Sequence, residues 1–186
     1  RVKEQCKLVA GSSNIELARK VAKIMDMPLM PVDLKKFNDG ELYCRILESV
    51  RGSDVYILQP TSPDVNDNLM ELLIISDALK RSSPYNITAV VPYFGYCRQD
   101  KKHKSREPIT AKLVANMMMV SGINRLITFD LHAAPVQGFF DIPSDNLEVM
   151  PLFADYVVDK KFEDIVVVSP DAGGVPRARA LAKELD

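Results

Sequence analysis

The stretch LITFDLHAAPVQGFFDIPSD, residues 126–145, decides what kind of fold the chain can adopt. Its first four residues, 126–129, are apolar and β-prone, which predicts a buried strand. The chain then turns polar at once, with Asp130 and His132 placed close to glycine and proline. Loops at the carboxyl ends of strands line the ligand crevice of a parallel α/β sheet, so this Asp-x-His is well placed to meet a metal or a phosphate. From this stretch alone an alternative stays open, in which Asp130 caps a turn and His132 is a surface residue.

Strand-like and helix-like segments alternate on both sides of this stretch. Strands are predicted over residues 7–10, 28–32, 42–47, 55–58, 87–91, 126–129 and 165–168, and helices over residues 15–25, 66–79, 108–121, 150–160 and 176–185. The alternation predicts an α/β fold, with a parallel, Rossmann-like sheet covered by helices on both faces. The turn Gly-Ser-Ser-Asn at residues 11–14 lacks both phosphate-binding glycine fingerprints, so a helix cap is favoured there over a phosphate site.

The composition is that of a globular protein. With 186 residues, 47% hydrophobic and 26% charged, the chain can bury a core, and we expect one domain over residues 1–186. The formal net charge of -1 gives no overall reason to expect nucleic acid or an anionic membrane as a partner. Cys6, Cys44 and Cys97 are odd in number and widely spaced, which favours a reducing, cytoplasmic compartment over disulfides or a zinc site. No run approaches the ~20 apolar residues of a membrane span, and no export signal is recognised.

A turn with unusual neighbours follows the second predicted strand. Phe37 stands beside Asp39-Gly40 and Glu41, and an Asp-Gly flanked by strand-like runs predicts a small β-hairpin flap. An exposed ring at such a tip can stack a nucleotide base while the carboxylates accept from its exocyclic amine. The alternative interpretation is a turn with no binding role.

Positive charge is concentrated after the strand predicted at residues 87–91. The run RQDKKHKSR, residues 98–106, carries five Lys or Arg against one Asp in a chain that is otherwise nearly neutral. Such a patch attracts polyanions, and Arg98 and Gln99 beside an aromatic turn offer directed donors. A solvated charge run and a nucleic-acid contact are the alternatives, but the sequence has no further basic face to extend the patch.

A second carboxylate follows the strand predicted at residues 165–168. Asp171 precedes Ala172, Gly173 and Gly174 at a predicted helix start, which offers a ligand for a cation beside free backbone donors for phosphate. A capped turn is the alternative. Taken together, the four loops describe a site for a nucleotide polyphosphate with its magnesium ion.

The motifs resemble those of one enzyme family over essentially the whole chain. FNDGE, ESVRG, NDNLMELL, PYFGYCRQDKK, PITAKLVAN, DLHAAPVQGFFDIPSDN and VVSPDAGG occur in the order found in ribose-phosphate pyrophosphokinases. The resemblance implies a Mg²⁺-dependent transferase that moves the pyrophosphoryl group of ATP to the 1-hydroxyl of ribose 5-phosphate. It also implies two phosphoribosyltransferase-like domains, of which residues 1–186 are the first. The second, with the ribose 5-phosphate loop and the flexible catalytic loop, would follow Asp186.

The resemblance also assigns roles to residues. It implies catalytic roles for His132, Asp171 and Arg98, and metal binding by Asp130, His132 and Asp171. ATP would be held by Arg98 and Gln99 together with a neighbouring subunit's Phe37, Asp39, Gly40 and Glu41, in a homo-oligomer that is typically a hexamer. A regulatory site for phosphate or ADP would use Ser49, Arg51, Lys101, Lys102, Lys104, Arg106, Gln137 and Asp145.

Three positions depart from the family pattern without removing an expected ligand. Pro135 stands where the family usually has Gln, Ser144 where it has an apolar residue, and Cys97 where Ala or Ser is usual. Two other classes stay open from the sequence. One is a catalytically silent regulatory subunit that resembles the synthetase-associated proteins, which lose several of the motifs that are intact here. The other is a general phosphate-binding α/β module.

Overall fold

Residues 5–185 are described by a computed structural model. The chain divides into two compact units, the first reaching to Asn146 and the second beginning at Leu147. Each unit has packed elements of its own. The expectation of one domain over residues 1–186 stays a prediction.

The first unit holds most of the regular secondary structure. Its elements are β1 (Cys6–Ala10), α1 (Ile15–Met25), β2 (Val32–Lys36), β3 (Leu42–Ile46), β4 (Asp54–Leu58), α2 (Val65–Lys80), β5 (Asn86–Val91), α3 (Thr110–Ser121), β6 (Arg125–Phe129), a 3-10 helix (Ala134–Phe139) and β7 (Ser144–Leu147), whose last residue begins the second unit. The helices predicted over 15–25 and 66–79 and the strands predicted over 7–10, 42–47, 55–58, 87–91 and 126–129 are confirmed to within one residue. None of the helices between residues 5 and 185 has the length and apolar content needed to cross a bilayer.

A single sheet organises the first unit. Five strands lie in the order β1-β4-β5-β6-β7, and the pairs β1·β4, β4·β5 and β5·β6 are parallel. Buried side chains line up across it, with Val9 opposite Ile57, Ile57 opposite Ala89 and Ala89 opposite Leu126. Because these strands are parallel, the loops that follow β1, β4, β5 and β6 all leave from one edge, called here the carboxyl edge. The loops that precede the strands lie at the opposite, amino edge.

Helices cover both faces of this sheet. Leu8 and Leu58 pack with Ala18 of α1 in one cluster. The adjacent residues Val9 and Ile57 point to the other face, where they share a larger core with α2 and α3. The predicted α/β fold with a parallel sheet and helices on both faces is therefore confirmed.

β2 and β3 form a separate antiparallel hairpin in which Lys36 lies opposite Leu42. Its tip closes with the N–H of Phe37 donating to the carbonyl oxygen of Glu41 at 2.8 Å. Gly40 has φ +95°, a left-handed conformation that favours glycine. The hairpin predicted from the Asp-Gly dipeptide is confirmed.

The strand predicted over residues 28–32 is wrong. β2 begins only at Val32, and before it Leu29 makes a single isolated parallel bridge to Leu8. Pro28 and Pro31 have no N–H to donate to a ladder, so regular pairing starts after the second proline.

The second unit contains the helices α4 (Met150–Asp159) and α5 (Val175–Leu185), which pack on each other, and a 3-10 helix (Ala172–Gly174). The helices predicted over 150–160 and 176–185 are confirmed to within one residue. The buried strand predicted over residues 165–168 is wrong, since this segment is not a strand and Val166 and Val168 are 81% and 77% exposed. A strand requires a neighbour for its backbone N–H and C=O groups, and the described residues of this unit pair none with it. An apolar run identifies a segment suited to a sheet but cannot supply the sheet.

Candidate functional site

The first strand-to-helix turn is a helix cap. The side-chain oxygen of Asn14 accepts from the N–H of Leu17 at 3.0 Å. Ser12 donates twice to the buried Glu71 carboxylate, from its N–H at 2.6 Å and from its hydroxyl at 2.8 Å. The donors of Ser12 are therefore occupied by an internal carboxylate and those of Ser13 by Gln59, and the cap by Asn14 that the sequence favours is confirmed.

The segment after β5 places Arg98 and Gln99 at the carboxyl edge. An aromatic turn leads into it, and the hydroxyl of Thr61 both accepts from the N–H of Gly95 at 2.7 Å and donates to the carbonyl of Tyr93 at 2.9 Å. Arg98 and Gln99 are exposed directly after this fixed turn. Their side chains can therefore face a ligand from a rigid support.

Gln99 also connects this segment to α3. The helix predicted from residue 108 begins two residues later, at Thr110, because Ile109 has a non-helical backbone with φ −110° and ψ 80°. The N–H of Ala111 donates to the main-chain oxygen of Gln99 at 3.1 Å, and the hydroxyl of Thr110 donates to its side-chain oxygen at 2.5 Å. The start of α3 is thus capped by a residue that the resemblance assigns to ATP.

The basic run after Gln99 is an exposed loop with unbalanced charge. No ion pair within residues 5–185 involves its exposed cations, which are Lys101, Lys102, Lys104 and Arg106. Glu107 fixes the loop from its end, accepting from the N–H of Lys104 at 2.9 Å and from that of His103 at 2.8 Å. These two N–H donors lower the pKa of Glu107, so it stays a carboxylate that binds the loop backbone. The lysine charges remain available for an anion.

The loop after β6 carries Asp130 and His132 at the same carboxyl edge. Asp130 has φ +40°, a conformation that ordinary residues rarely adopt. The N–H of Leu131 donates to the side-chain oxygen of Asn146 at 3.0 Å, and the N–H of His132 donates to the sulfur of Cys97 at 3.3 Å. Since Cys97 directly precedes Arg98, this contact joins the two loops that the sequence singles out.

Cys97 itself is a structural residue. It is 6% exposed, and burial raises the pKa of its thiol, which keeps the sulfur uncharged. Cys6, Cys44 and Cys97 are all free thiols, in agreement with the expectation that they form no disulfide.

Metal-binding side chains are sparse at the carboxyl edge. Within residues 5–185 no group of three or more His, Cys, Asp or Glu side chains lies close enough to share a metal ion. Asp130 is the carboxylate that the β6 loop supplies, next to the exposed His132. This donor set fits Mg²⁺, which is usually bound through one or two carboxylates plus substrate phosphates and water.

The hairpin tip presents an aromatic ring to solvent. Phe37 is 52% exposed and contacts Tyr43 edge-to-face with ring centroids 6.2 Å apart. Asp39 accepts from the N–H of Glu41 at 3.1 Å and so shapes the turn. Among the described residues the tip forms no direct hydrogen bond, ion pair or ring contact with Arg98. Lys36 pairs with Asp67 at 2.6 Å and the hydroxyl of Tyr96 donates to Asn66, so the hairpin and the segment before Arg98 both contact the start of α2.

The residues expected to bind a regulatory phosphate are divided between the two edges of the sheet. Ser49 and Arg51 precede β4, where the hydroxyl of Ser49 accepts from the N–H of Arg51 at 3.4 Å, and they lie at the amino edge. Asp145 lies near the start of β6, because Arg125 donates to its carboxylate at 3.0 and 2.5 Å. The basic loop follows the carboxyl end of β5, and Gln137 lies half-buried in the 3-10 helix after β6. One chain therefore does not assemble the whole set.

Asp171 belongs to the second unit, where it caps the 3-10 helix. Its side-chain oxygen accepts from the N–H of Gly174 at 2.7 Å, and its main-chain oxygen accepts from the hydroxyl of Ser169 at 2.6 Å. The capped turn considered from the sequence is present. The preceding residues 165–168 are not a strand, so Asp171 does not follow a strand end as expected.

Several supporting residues escape sequence reasoning. Those whose partners lie eleven or more residues away are Glu71, Thr110, Lys112 and Asn146. Glu107 instead binds the backbone three and four residues before it. Lys112 shows why they are missed. Its sequence position suggests a solvated helix residue, but its Nζ donates to the carbonyl of Phe139 at 2.7 Å. Only the position of Thr110 at a helix start gives a local signal.

Known proteins resemble this chain in sequence. A family model for the N-terminal domain of ribose phosphate pyrophosphokinase matches residues 6–122. The ribose-phosphate pyrophosphokinase of Campylobacter jejuni is 55% identical over 179 residues, which cover 96% of this chain and 58% of that protein. That of Bacillus caldolyticus is 55% identical over 181 residues, covering 97% of this chain and 58% of that protein.

A solved structure gives the same result for the fold. The crystal structure of phosphoribosylpyrophosphate synthetase from Mycobacterium smegmatis superimposes with a TM-score of 0.90 and 44% sequence identity, covering 97% of this chain and 61% of that one. This confirms the predicted phosphoribosyltransferase-like architecture. The chain spans about 58% of the length of the curated relatives described above. It belongs to the ribose-phosphate pyrophosphokinase family.

Proposed function

We propose that this chain supplies the ATP-binding half of a ribose-phosphate pyrophosphokinase. The complete enzyme transfers the pyrophosphoryl group of Mg-ATP to the 1-hydroxyl of ribose 5-phosphate and yields phosphoribosyl pyrophosphate and AMP. The observation that carries the proposal is the contact between Cys97 and His132, which holds the Arg98 segment and the Asp130 loop side by side at one sheet edge. A cationic fork and a carboxylate at that position suit a nucleotide polyphosphate and its metal.

The reaction places its main electrostatic demand on this edge. In phosphoryl-type transfer, charge spreads over the phosphate oxygens, and catalysis consists mostly of positioning and charge stabilisation. Arg98 is exposed, and its planar guanidinium can donate two parallel hydrogen bonds to the transferred group. His132 lies within the same loop system and can donate to a phosphate oxygen or to a metal-bound water. Gln99 adds a neutral donor beside Arg98.

Mg²⁺ is the proposed cofactor, with Asp130 and His132 as its proposed ligands in the first unit. The metal-binding role of Asp171, in the second unit, is the one that the family resemblance implies. When bound with ATP, Mg²⁺ neutralises phosphate charge. Because Mg²⁺ prefers oxygen ligands, we assign direct coordination to the carboxylates and an indirect contact to His132.

The adenine base is proposed to bind between subunits. Phe37 is 52% exposed on the hairpin tip, which leaves its ring open to a base bound by a neighbouring molecule. Its face can stack the base, and Asp39 and Glu41 can accept from the exocyclic amine. A homo-oligomer follows from this arrangement, and we expect the hexamer typical of the family.

Regulation by phosphate or ADP is proposed on the same basis. Ser49, Arg51 and Asp145 lie at the amino edge, whereas the Lys101–Arg106 loop follows the carboxyl edge. A single anion can contact both groups only if a neighbouring subunit supplies one of them. Surplus positive charge on the loop favours an anion in addition to ATP.

Ribose 5-phosphate recognition is assigned mainly to the remainder of the enzyme, because the chain spans about 58% of its relatives. The proposed activity is tested by measuring AMP and phosphoribosyl pyrophosphate from ATP, Mg²⁺ and ribose 5-phosphate with the full-length protein. We expect equal amounts of both products, dependent on both substrates. A protein that binds ATP but forms neither product would be the silent regulatory subunit.

A further inference from the structure

Gln99 is held by both of its oxygen atoms. Its main-chain oxygen accepts from the N–H of Ala111 at 3.1 Å, and its side-chain Oε1 accepts from the hydroxyl of Thr110 at 2.5 Å. Both donors belong to the first turn of α3, where Ile109 provides no side-chain cap. The orientation of the Gln99 amide is therefore set from outside its own loop.

This orientation determines what Gln99 can offer to a ligand. A glutamine amide has an acceptor end and a donor end, and half a turn about its last bond exchanges them. With Oε1 directed at the Thr110 hydroxyl, the amide turns its two Nε2 N–H groups away from α3, and these form no hydrogen bond with any described residue. In this orientation the side chain meets a ligand with its donor end rather than with its acceptor end.

The geometry of Thr110 indicates a role beyond the helix itself. A hydroxyl that serves only as a helix cap accepts from an N–H of the first turn. The hydroxyl of Thr110 instead donates away from the helix to Gln99, over a separation of eleven residues. Capping of α3 is already met by the main-chain oxygen of Gln99.

We propose that Thr110 is a positioning residue for the nucleotide, whose hydroxyl turns Gln99 so that its side chain donates to ATP. The partner atom on the nucleotide must be an acceptor, either a ring nitrogen of adenine or a phosphate oxygen. A base edge that offers an N–H at the same place is disfavoured, because it would face the Nε2 donors of Gln99 while Oε1 points at Thr110. The inference rests on the proposed function, in which Gln99 reaches ATP.

The test compares variants of the full-length enzyme by the KM for ATP and by kcat. Thr110→Val keeps the shape of the side chain and removes the hydroxyl, so Gln99 is free to rotate. We expect the KM for ATP to rise roughly threefold to tenfold, the effect of one lost hydrogen bond, with kcat and the KM for ribose 5-phosphate nearly unchanged. Thr110→Ser keeps the hydroxyl and should behave like the unmodified enzyme.

A double variant shows whether Thr110 acts through Gln99. Gln99→Ala alone should raise the KM for ATP, and adding Thr110→Val to it should cause no further rise. An equal further rise in the double variant, or a Thr110→Val enzyme with normal KM for ATP, would overturn the inference. Thermal melting of each variant shows whether a lost fold explains a change.

Gln99→Glu gives a measurement that does not depend on Thr110 variants folding. The carboxylate can still accept from the Thr110 hydroxyl but presents no donor, so the KM for ATP should rise at least as much as in Gln99→Ala. A normal KM in Gln99→Glu also overturns the inference. If instead the unmodified enzyme neither binds ATP nor forms AMP, the proposed function fails, and that result is distinguishable because no variant is needed to see it.

Discussion

The N–H of His132 donates to the sulfur of Cys97 across 3.3 Å, and this bond joins the loop after β6 to the loop after β5. The sulfur is buried and uncharged, so it acts as a fixed acceptor. Arg98 lies next to Cys97 in the loop after β5, and His132 lies in the loop after β6. The relative placement of the two proposed catalytic side chains therefore depends on a buried residue.

Replacing Cys97 with valine removes this acceptor while keeping a side chain of similar size. We expect the free energy of unfolding to fall by about 1 kcal/mol and turnover of the full-length enzyme to fall several-fold, because the N–H of His132 loses its partner. Cys97→Ser retains an acceptor and is the matched control. If the valine and serine variants have the same turnover, the bond does not position the loop.

Gly11 should tolerate no side chain. A Cβ built there lies 2.1 Å from the side-chain oxygen of Gln59, which is fully buried and bonded to Glu71 at 2.9 Å. We expect Gly11→Ala to lower the free energy of unfolding by roughly 1–3 kcal/mol, the usual range for overpacking. Gly138→Ala is the control, since a Cβ there meets nothing within 4 Å. Chemical denaturation of both variants decides the matter, and equal stabilities would contradict the expectation.

The basic loop should loosen in acid. The N–H groups of Lys104 and His103 hold the pKa of Glu107 below its ordinary value near 4.5. The hydrogen bonds of the Glu107 carboxylate stabilise the loop fully at a pH above the ordinary carboxyl pKa. This contribution is lost as the pH falls through the lowered pKa of Glu107. The amide NMR signals of His103 and Lys104 should therefore shift together when the pH is lowered below the ordinary carboxyl pKa. Glu107→Gln should abolish this acid transition, and its persistence in that variant would assign it to another group.

Local sequence patterns predict those parts of the fold that depend on near neighbours. Asp39-Gly40 specifies the hairpin, and the segments around Val9, Ile57 and Ala89 are apolar enough to specify buried strands. The segment 165–168 looks the same by composition, but its backbone has no strand to pair with among the described residues. Pairing partners are a property of the whole fold, which an apolar run does not contain.

In the candidate site too, local sequence identifies some residues and only the complete fold identifies others. Arg98, Gln99, Asp130 and His132 can be selected from the sequence because polar residues follow apolar strands. The groups that orient them cannot, since Thr110 and Cys97 have ordinary roles in a helix start and a core. The contact of Cys97 with His132 arises only when neighbouring strands bring two loops together, and that of Thr110 with Gln99 arises only when the loop after β5 folds back onto the start of α3.

The proposal that sites are shared between subunits predicts complementation. A Phe37→Ala subunit lacks the proposed base-stacking ring but keeps its own Arg98, and an Arg98→Ala subunit has the reverse defect. Mixed oligomers of the two full-length variants should therefore regain part of the activity, because some sites combine an intact ring with an intact arginine. Each variant assembled with itself is the control. Verified mixed oligomers with no recovery would place Phe37 and Arg98 in separate sites or in the same subunit.

The two histidines of the chain give the most direct test of the whole account. His132 lies in the proposed catalytic loop, whereas the His103 side chain is exposed on the basic loop and has no assigned role. Product formation from Mg-ATP and ribose 5-phosphate should fall by roughly 100-fold or more in full-length His132→Ala, the scale of a lost acid–base or charge-stabilising group. His103→Ala should retain turnover near that of the unmodified enzyme, with both variants melting normally. Near-normal turnover in a folded His132→Ala enzyme would contradict the assignment of the carboxyl edge as the catalytic site.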